Sequence, residues 1–145
     1  MKVKKLDAEL QELGYAHEGD AGFDLRASLP EGETLLMKPG DRALIPTGVA
    51  FAIPAGHEVQ IRPRSGLALK HGVTVLNAPG TIDSQYRGEV KVLLMNLSHE
   101  PFYIERGDRI AQAVMAKFET ATFEYVEDLD DTARGEGGFG STGGK

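Results

Sequence analysis

The amino-acid sequence predicts an all-β domain of the sandwich, barrel or jelly-roll kind. Short apolar runs recur through the middle of the chain, separated by turn signals such as "PAG", "RSG", "APG", "YRG" and "RGD". Eighteen glycines and seven prolines supply that punctuation. Only one stretch carries helical spacing. At 145 residues the chain is long enough for one core and too short for two.

The elements follow in order. "LDAELQEL", residues 6–13, places Leu6, Leu10 and Leu13 at helical spacing and predicts a short, uncapped helix. "DAGFDLRA", residues 20–27, alternates Phe23 and Leu25 around Asp24. An acid inside a strand pattern needs a partner, either an arginine or a hydrated metal. Strands are then expected over "RALIPTGVAFAI" (42–53, interrupted at Pro46), "HEVQIRP" (57–63) and "GVTVL" (72–76). Three more follow: "EVKVLLMN" (89–96), "PFYIE" (101–105) and "RIAQAVMAKF" (109–118). In "EVKVLLMN", Val90, Val92 and Leu94 share one face, while Lys91, Leu93 and Met95 share the other. That strand is expected to be buried on much of both faces. The composition changes after residue 118. The expected organisation is a β-rich domain over 1–118, an acidic connector over 119–133 and a glycine-rich tail over 134–145.

Charge and composition narrow the function. The formal net charge of −6 weighs against non-specific nucleic-acid binding. No apolar run approaches the roughly eighteen residues of a membrane span, so no membrane partner is expected. Without cysteine there is no disulfide, thiolate zinc site or cysteine nucleophile, and a cytoplasmic location fits. His17, His57, His71 and His99 are scattered, which argues against a histidine metal site. A hard cation such as Mg²⁺ leaves little signature, because substrate phosphates and waters can hold most of it.

Three stretches carry candidate chemistry. "RPRSGLALKHG", residues 62–72, is the densest basic segment. Its "RSG" turn can present the Arg64 guanidinium, the Ser65 hydroxyl and backbone N–H groups to an anion, or it is a solvated turn. "GEGGFG", residues 135–140, formally matches GxGxxG but opens no helix, and Ser141 stands where a Walker loop needs lysine. Both nucleotide folds are rejected. Glycine-rich backbone with Ser141 and Thr142 still offers donors to phosphate. "NAPGTIDSQYRGEV", residues 77–90, has the Pro-Gly of a turn, with Asp83 three residues before Tyr86. Taken alone it leaves Asp83 either a turn residue or a reactive group.

The order of the motifs is more specific than any one of them. "AGFDLRA", "PRSGLA", "NAPGTIDSQYRGEVKV", "RGDRIAQAV" and "RGEGGFGSTGG" resemble, in order and spacing, the motifs of the trimeric dUTPase family. The resemblance spans residues 20–144. It implies an all-β, jelly-roll-like (β-clip) subunit, a homotrimer with active sites shared between subunits, and Mg²⁺-dependent hydrolysis of dUTP to dUMP and pyrophosphate. In that family the reaction keeps uracil out of DNA and supplies dUMP for thymidylate synthesis. By the resemblance, Asp83 activates the water that attacks the α-phosphate, and Tyr86 packs under the deoxyribose. Asn77, the Gly80, Thr81, Ile82 and Asp83 backbone and the backbone at Lys91 read uracil. Arg64, Ser65, Gly66 and Gln112 hold phosphates. In the tail, Arg134 and Ser141 contact phosphate, while Phe139, with Gly140 beside it, stacks on the base. Asp24 holds the Mg²⁺ shell through water.

Two rivals remain. dCTP deaminase shares the fold, but it uses a glutamate where this sequence has Leu93, and usually a second serine where this one has Gly66. A non-catalytic nucleotide-binding trimer would keep phosphate ligands and lose the base or the tail, yet Asp83, Tyr86 and the whole tail are present.

Overall fold

The structure, a computed structural model, describes residues 1–138. The strands are β1 (Lys2–Lys5), β2 (Gly22–Arg26), β3 (Thr34–Met37), β4 (Arg42–Ala52), β5 (His57–Arg62), β6 (Val73–Val75), β7 (Gly80–Ile82), β8 (Glu89–Asn96), β9 (Phe102–Glu105) and β10 (Arg109–Lys117). One helix, α1 (Ser65–His71), lies between β5 and β6. All strand pairs are antiparallel. They form a sheet ordered β1-β4-β8-β6, a second ordered β2-β10-β5-β7, and a β3-β9 pair.

One core joins the sheets. Ile45, Phe51, Val90, Val92 and Leu94 from the first meet Phe23, Leu25, Val59 and Ile61 from the second, with Met37 and Ile104 from the small pair. Phe23 and Phe51 meet edge-to-face at 6.3 Å. Removing a fully buried side chain such as Leu94 would cost about 2–5 kcal/mol. An exposed ion pair contributes at most about 1 kcal/mol. The alternation of apolar residues therefore decides the fold, and charge decides details within it.

The alternation locates six of the strands. On β8, Val90, Val92 and Leu94 are buried as expected, but Lys91 is exposed and Leu93 and Met95 are only half-buried. Within the chain that strand thus has one covered face. Pro46 does not interrupt β4, which runs through it. The irregularity is a bulge, a register shift between Pro46 and Ala50 against β8. Gly48 sits there at φ 67°, a conformation that favours glycine.

The helix expected over residues 6–13 does not form. The Leu6 and Asp7 N–H groups both donate to the Gly48 carbonyl, at 2.7 and 3.1 Å. Lys5 Nζ donates to the Ala8 and Leu10 carbonyls, which a helix would have needed. Arg106 completes the capture. Its two terminal nitrogens contact the Asp7 carboxylate at 2.6 and 2.7 Å, and Nη1 also donates to the Leu29 carbonyl at 2.7 Å. Ser28 Oγ donates to Asp7 at 2.6 Å. Tertiary partners outcompete a helix too short to stand alone.

The Arg106 and Ser28 hydrogen bonds hold the Asp7 carboxyl well below its ordinary value of 3.8, against an opposing effect of burial. A depressed folded-state value stabilises above the ordinary value and is lost as pH falls towards the folded one. Asp7→Asn should lower Tm by a few degrees at neutral pH. The gap from wild type should shrink steadily as pH falls below 3.8. Thermal denaturation across that range tests this, and a gap that stays constant with pH would show that the Asp7 charge is not what holds the segment.

Candidate active site

The first group of site residues gathers where β2, β10 and β5 run side by side. Gln112 on β10 lies opposite Asp24 on β2 and Arg62 on β5. Arg64 and Ser65 follow directly as β5 ends and α1 begins. The "RSG" segment is therefore the start of a short helix, where the sequence pattern indicated a turn. Arg64 Nε donates to Asp24 Oδ1 at 2.8 Å, and its Nη1 donates to the Arg109 carbonyl at 3.3 Å. Arg109 Nη1 donates to Asp24 Oδ2 at 3.2 Å. Asp24 thus has its arginine partner, and it has two. Ser65, Gly66, Gln112 and Asp20 join them around a cleft of about 410 Å³. Gln112 Nε2 donates to the Pro63 carbonyl at 2.9 Å, which fixes its amide.

The sequence alone gives no signal for Arg109. Strict alternation puts it on the opposite face from Gln112. A register shift between Arg109 and Ala111 breaks the alternation and brings Arg109 into the cleft. The Asp24 pairs are partly exposed, so they add about 1 kcal/mol at most. Their effect is to aim two guanidinium groups, which suit phosphate oxygens.

The second group lies around β7 and β8. Asn77 is exposed before β7, and Gly80 is buried opposite Ile61. A Cβ at Gly80 would stand 3.2 Å from Asn77 Nδ2 and 3.4 Å from Ile61 Cβ, so the chain approaches closely here. Asp83 follows β7 in a turn closed by the Tyr86 N–H on its carbonyl, at 3.1 Å. Asp83, Tyr86, Thr81, Ile82 and Lys91 border a pocket of about 330 Å³. No ion pair among the described residues engages the Asp83 carboxylate.

The Lys91 backbone has a distinctive position. β6 pairs with β8 only from Leu94 to Asn96. The Leu93 carbonyl still accepts from the Leu76 N–H, at 2.8 Å. Successive residues of a strand point their polar groups to alternate sides, so Glu89, Lys91 and Leu93 all face this side. The Glu89 carbonyl accepts from the Tyr86 hydroxyl at 3.0 Å. Between them, the Lys91 main-chain groups point to the same side, beyond the end of β6.

The two groups do not merge within the chain, since the cleft and the pocket share no bordering residue. Arg134 lies in a separate exposed turn, donating to the Gly137 carbonyl at 2.8 Å. Phe139, Gly140 and Ser141 lie outside the described residues. Among the described residues, no cluster of three acidic or histidine side chains is placed to cage a metal. Asp20 and Asp24 in the cleft fit a hydrated hard cation carried by a phosphorylated ligand better than one held by protein alone.

The fold matches solved enzymes. The chain superposes on a Staphylococcus bacteriophage 80alpha dUTPase bound to dUpNHpp with a TM-score of 0.85 and 29% identity, covering 98% of this chain and 97% of that one. The described scaffold is therefore that of the all-β nucleotide hydrolases of the dUTPase fold. A family model for dUTPase matches residues 9–143. A Caulobacter vibrioides deoxyuridine 5'-triphosphate nucleotidohydrolase is 60% identical over 137 residues, 94% of this chain and 88% of that protein. The Nautilia profundicola protein of the same name is 58% identical over 143 residues, 99% of this chain and 98% of its own. The chain belongs to the dUTPase family and is by that membership an enzyme of the dUTP diphosphatase class.

A lysine in place of Arg64 cannot hold both Asp24 and the Arg109 carbonyl while facing an anion. Arg64→Lys should therefore weaken binding of inorganic tripolyphosphate by about tenfold, the scale of one lost charged hydrogen bond, with little change in Tm. Calorimetric titration measures it, and an unchanged Kd would remove Arg64 from the anion-binding set.

Proposed function

We propose that this chain hydrolyses dUTP to dUMP and pyrophosphate, with Asp83 as the base. The observation that carries the reading is the pairing of Asp83 and Tyr86 in one turn, at a pocket that Thr81, Ile82 and Lys91 also border. Asp83 orients a water and takes its proton as the oxygen bonds to the α-phosphorus. The bond from that phosphorus to the bridging oxygen breaks, and pyrophosphate leaves with the electron pair. An aspartate is a weak base, so positioning and charge neutralisation carry most of the rate.

Arg64, Ser65, Gly66 and Gln112 bind the phosphate chain, and Arg109 holds Arg64 and Asp24 in place. Mg²⁺ bound to the triphosphate supplies further charge neutralisation. Asp24 and Asp20 would receive its water shell. Asn77, the Gly80–Asp83 backbone and the Lys91 main chain read the uracil edge, because an N–H beside a C=O matches uracil and opposes cytosine's reversed pattern. Tyr86 lies under the deoxyribose and leaves no room for a 2′-hydroxyl.

The separation of cleft and pocket supports a homotrimer, in which the cleft of one subunit meets the pocket of another. The strands end at Lys117, and residues 118–134 are exposed. That supports the reading of 119–133 as a connector and of 134–145 as a tail that closes over the site. Arg134 and Ser141 would then contact phosphate, with Phe139 and Gly140 against the base.

Pyrophosphate should be released from dUTP with Mg²⁺, and far more slowly from dTTP, dCTP and UTP. Ammonia released from dCTP would favour the deaminase reading instead. Asp83→Asn should lower kcat by about 10²–10⁴-fold while dUTP affinity is largely kept. A variant turning over at the wild-type rate would disqualify Asp83 as the base.

A further inference from the structure

Tyr86 is 45% exposed, so packing alone does not fix it. It is held at two points by its own turn. Its hydroxyl donates to the Glu89 carbonyl at 3.0 Å, and its far edge lies over Gly88. A Cβ at Gly88 would stand 2.6 Å from Tyr86 Cζ and 3.0 Å from Cε2, and would collide with the hydroxyl. Gly88 is not among the glycines with positive φ, so its backbone does not require glycine. The ring does.

We propose that Gly88 is a positioning residue for Tyr86, and that it sets discrimination against the ribose 2′-hydroxyl. Gly88 leaves the space in which the ring lies, and the Glu89 carbonyl is its anchor. That anchor is itself fixed. Glu89 pairs with Ala50 in the β4–β8 ladder, and its carboxylate accepts from the Gly48 N–H at 2.9 Å. The proposal rests on the reading of Tyr86 as the wall beneath the sugar. A wall rejects one extra hydroxyl only by contact, so displacing the ring admits the ribonucleotide before it abolishes dUTP turnover.

The readout is the ratio of kcat/KM for dUTP over UTP. Gly88→Ala should lower it about tenfold or more, within the roughly hundredfold that exclusion of a hydroxyl can supply. Tyr86→Ala should lower it further. In the Tyr86→Ala background, Gly88→Ala should change the ratio no more, because Gly88 acts only through the ring. A preserved ratio in Gly88→Ala, with loss in Tyr86→Ala, overturns the role of Gly88 and leaves the sugar wall intact. An equal fall in both backgrounds overturns it too, by exposing a general structural effect. A wild-type ratio in Tyr86→Ala overturns the sugar wall itself. Should Gly88→Ala not fold, Tyr86→Phe removes the hydroxyl tether alone. A lower ratio there supports the seat, and an unchanged ratio overturns it.

Discussion

The bulge in β4 at Thr47 and Gly48 is the constraint on which much of the structure hangs. Inserting residues against β8 frees backbone groups that a regular ladder would consume. The Gly48 carbonyl takes the Leu6 and Asp7 N–H groups and so ties down the N-terminal segment. The Gly48 N–H holds the Glu89 carboxylate, and the Thr47 hydroxyl donates to the Val90 carbonyl at 2.6 Å. One irregularity thus fastens the chain start and the first residues of β8. The anchor for Tyr86 lies there. Pro46, opposite Lys91, has no N–H to offer β8, which suits a strand position whose polar groups face the other way.

Electrostatics at the site are local. A chain of net charge −6 repels a triphosphate at long range. Over the Debye length of about 8 Å at physiological salt, nearby charges dominate. The cleft brings Arg64 and Arg109 together around Asp24. Two guanidiniums share one carboxylate, and both stay oriented before any ligand arrives. That preorganisation is worth more to an anion than the modest stability of the pairs themselves.

Sequence and structure agree where burial is periodic, and diverge where backbone irregularity or tertiary capture intervenes. The β8 strand was legible because buried residues alternate along it, and β10 because an apolar run with Ile110, Ala111 and Ala113 buried follows a turn. β7 was hidden, since Gly80–Ile82 reads as part of a turn and is only three residues long, paired with Val59–Ile61. β1 was hidden because every one of its residues is exposed, leaving no apolar alternation to read. α1 buries no residue, so its apolar pattern had no face to report. The helix over 6–13 failed because Arg106, some hundred positions away in the chain, claims Asp7. Arg64 and Asp24 were both candidates in the sequence, but their mutual contact across β2 and β5 was not. Arg109 needed the bulge in β10 to reach them.

In the proposed reading, recognition by main chain explains why so few side chains in the second pocket look chemically distinctive. β8 extends past the end of β6, and that difference in length leaves the polar groups at Lys91 without a partner in β6. A sheet edge is rigid, because its geometry is set by the ladder on the other side, here β4. It presents donor and acceptor at fixed spacing with little entropy left to lose on binding. The Lys91 side chain can then vary without altering what the strand reads. Tyr86 is the exception, a side chain that must be as fixed as the backbone. Its tether runs to a backbone carbonyl of β8, so in that reading the edge that would read the base and the ring that would lie under the sugar share one rigid frame.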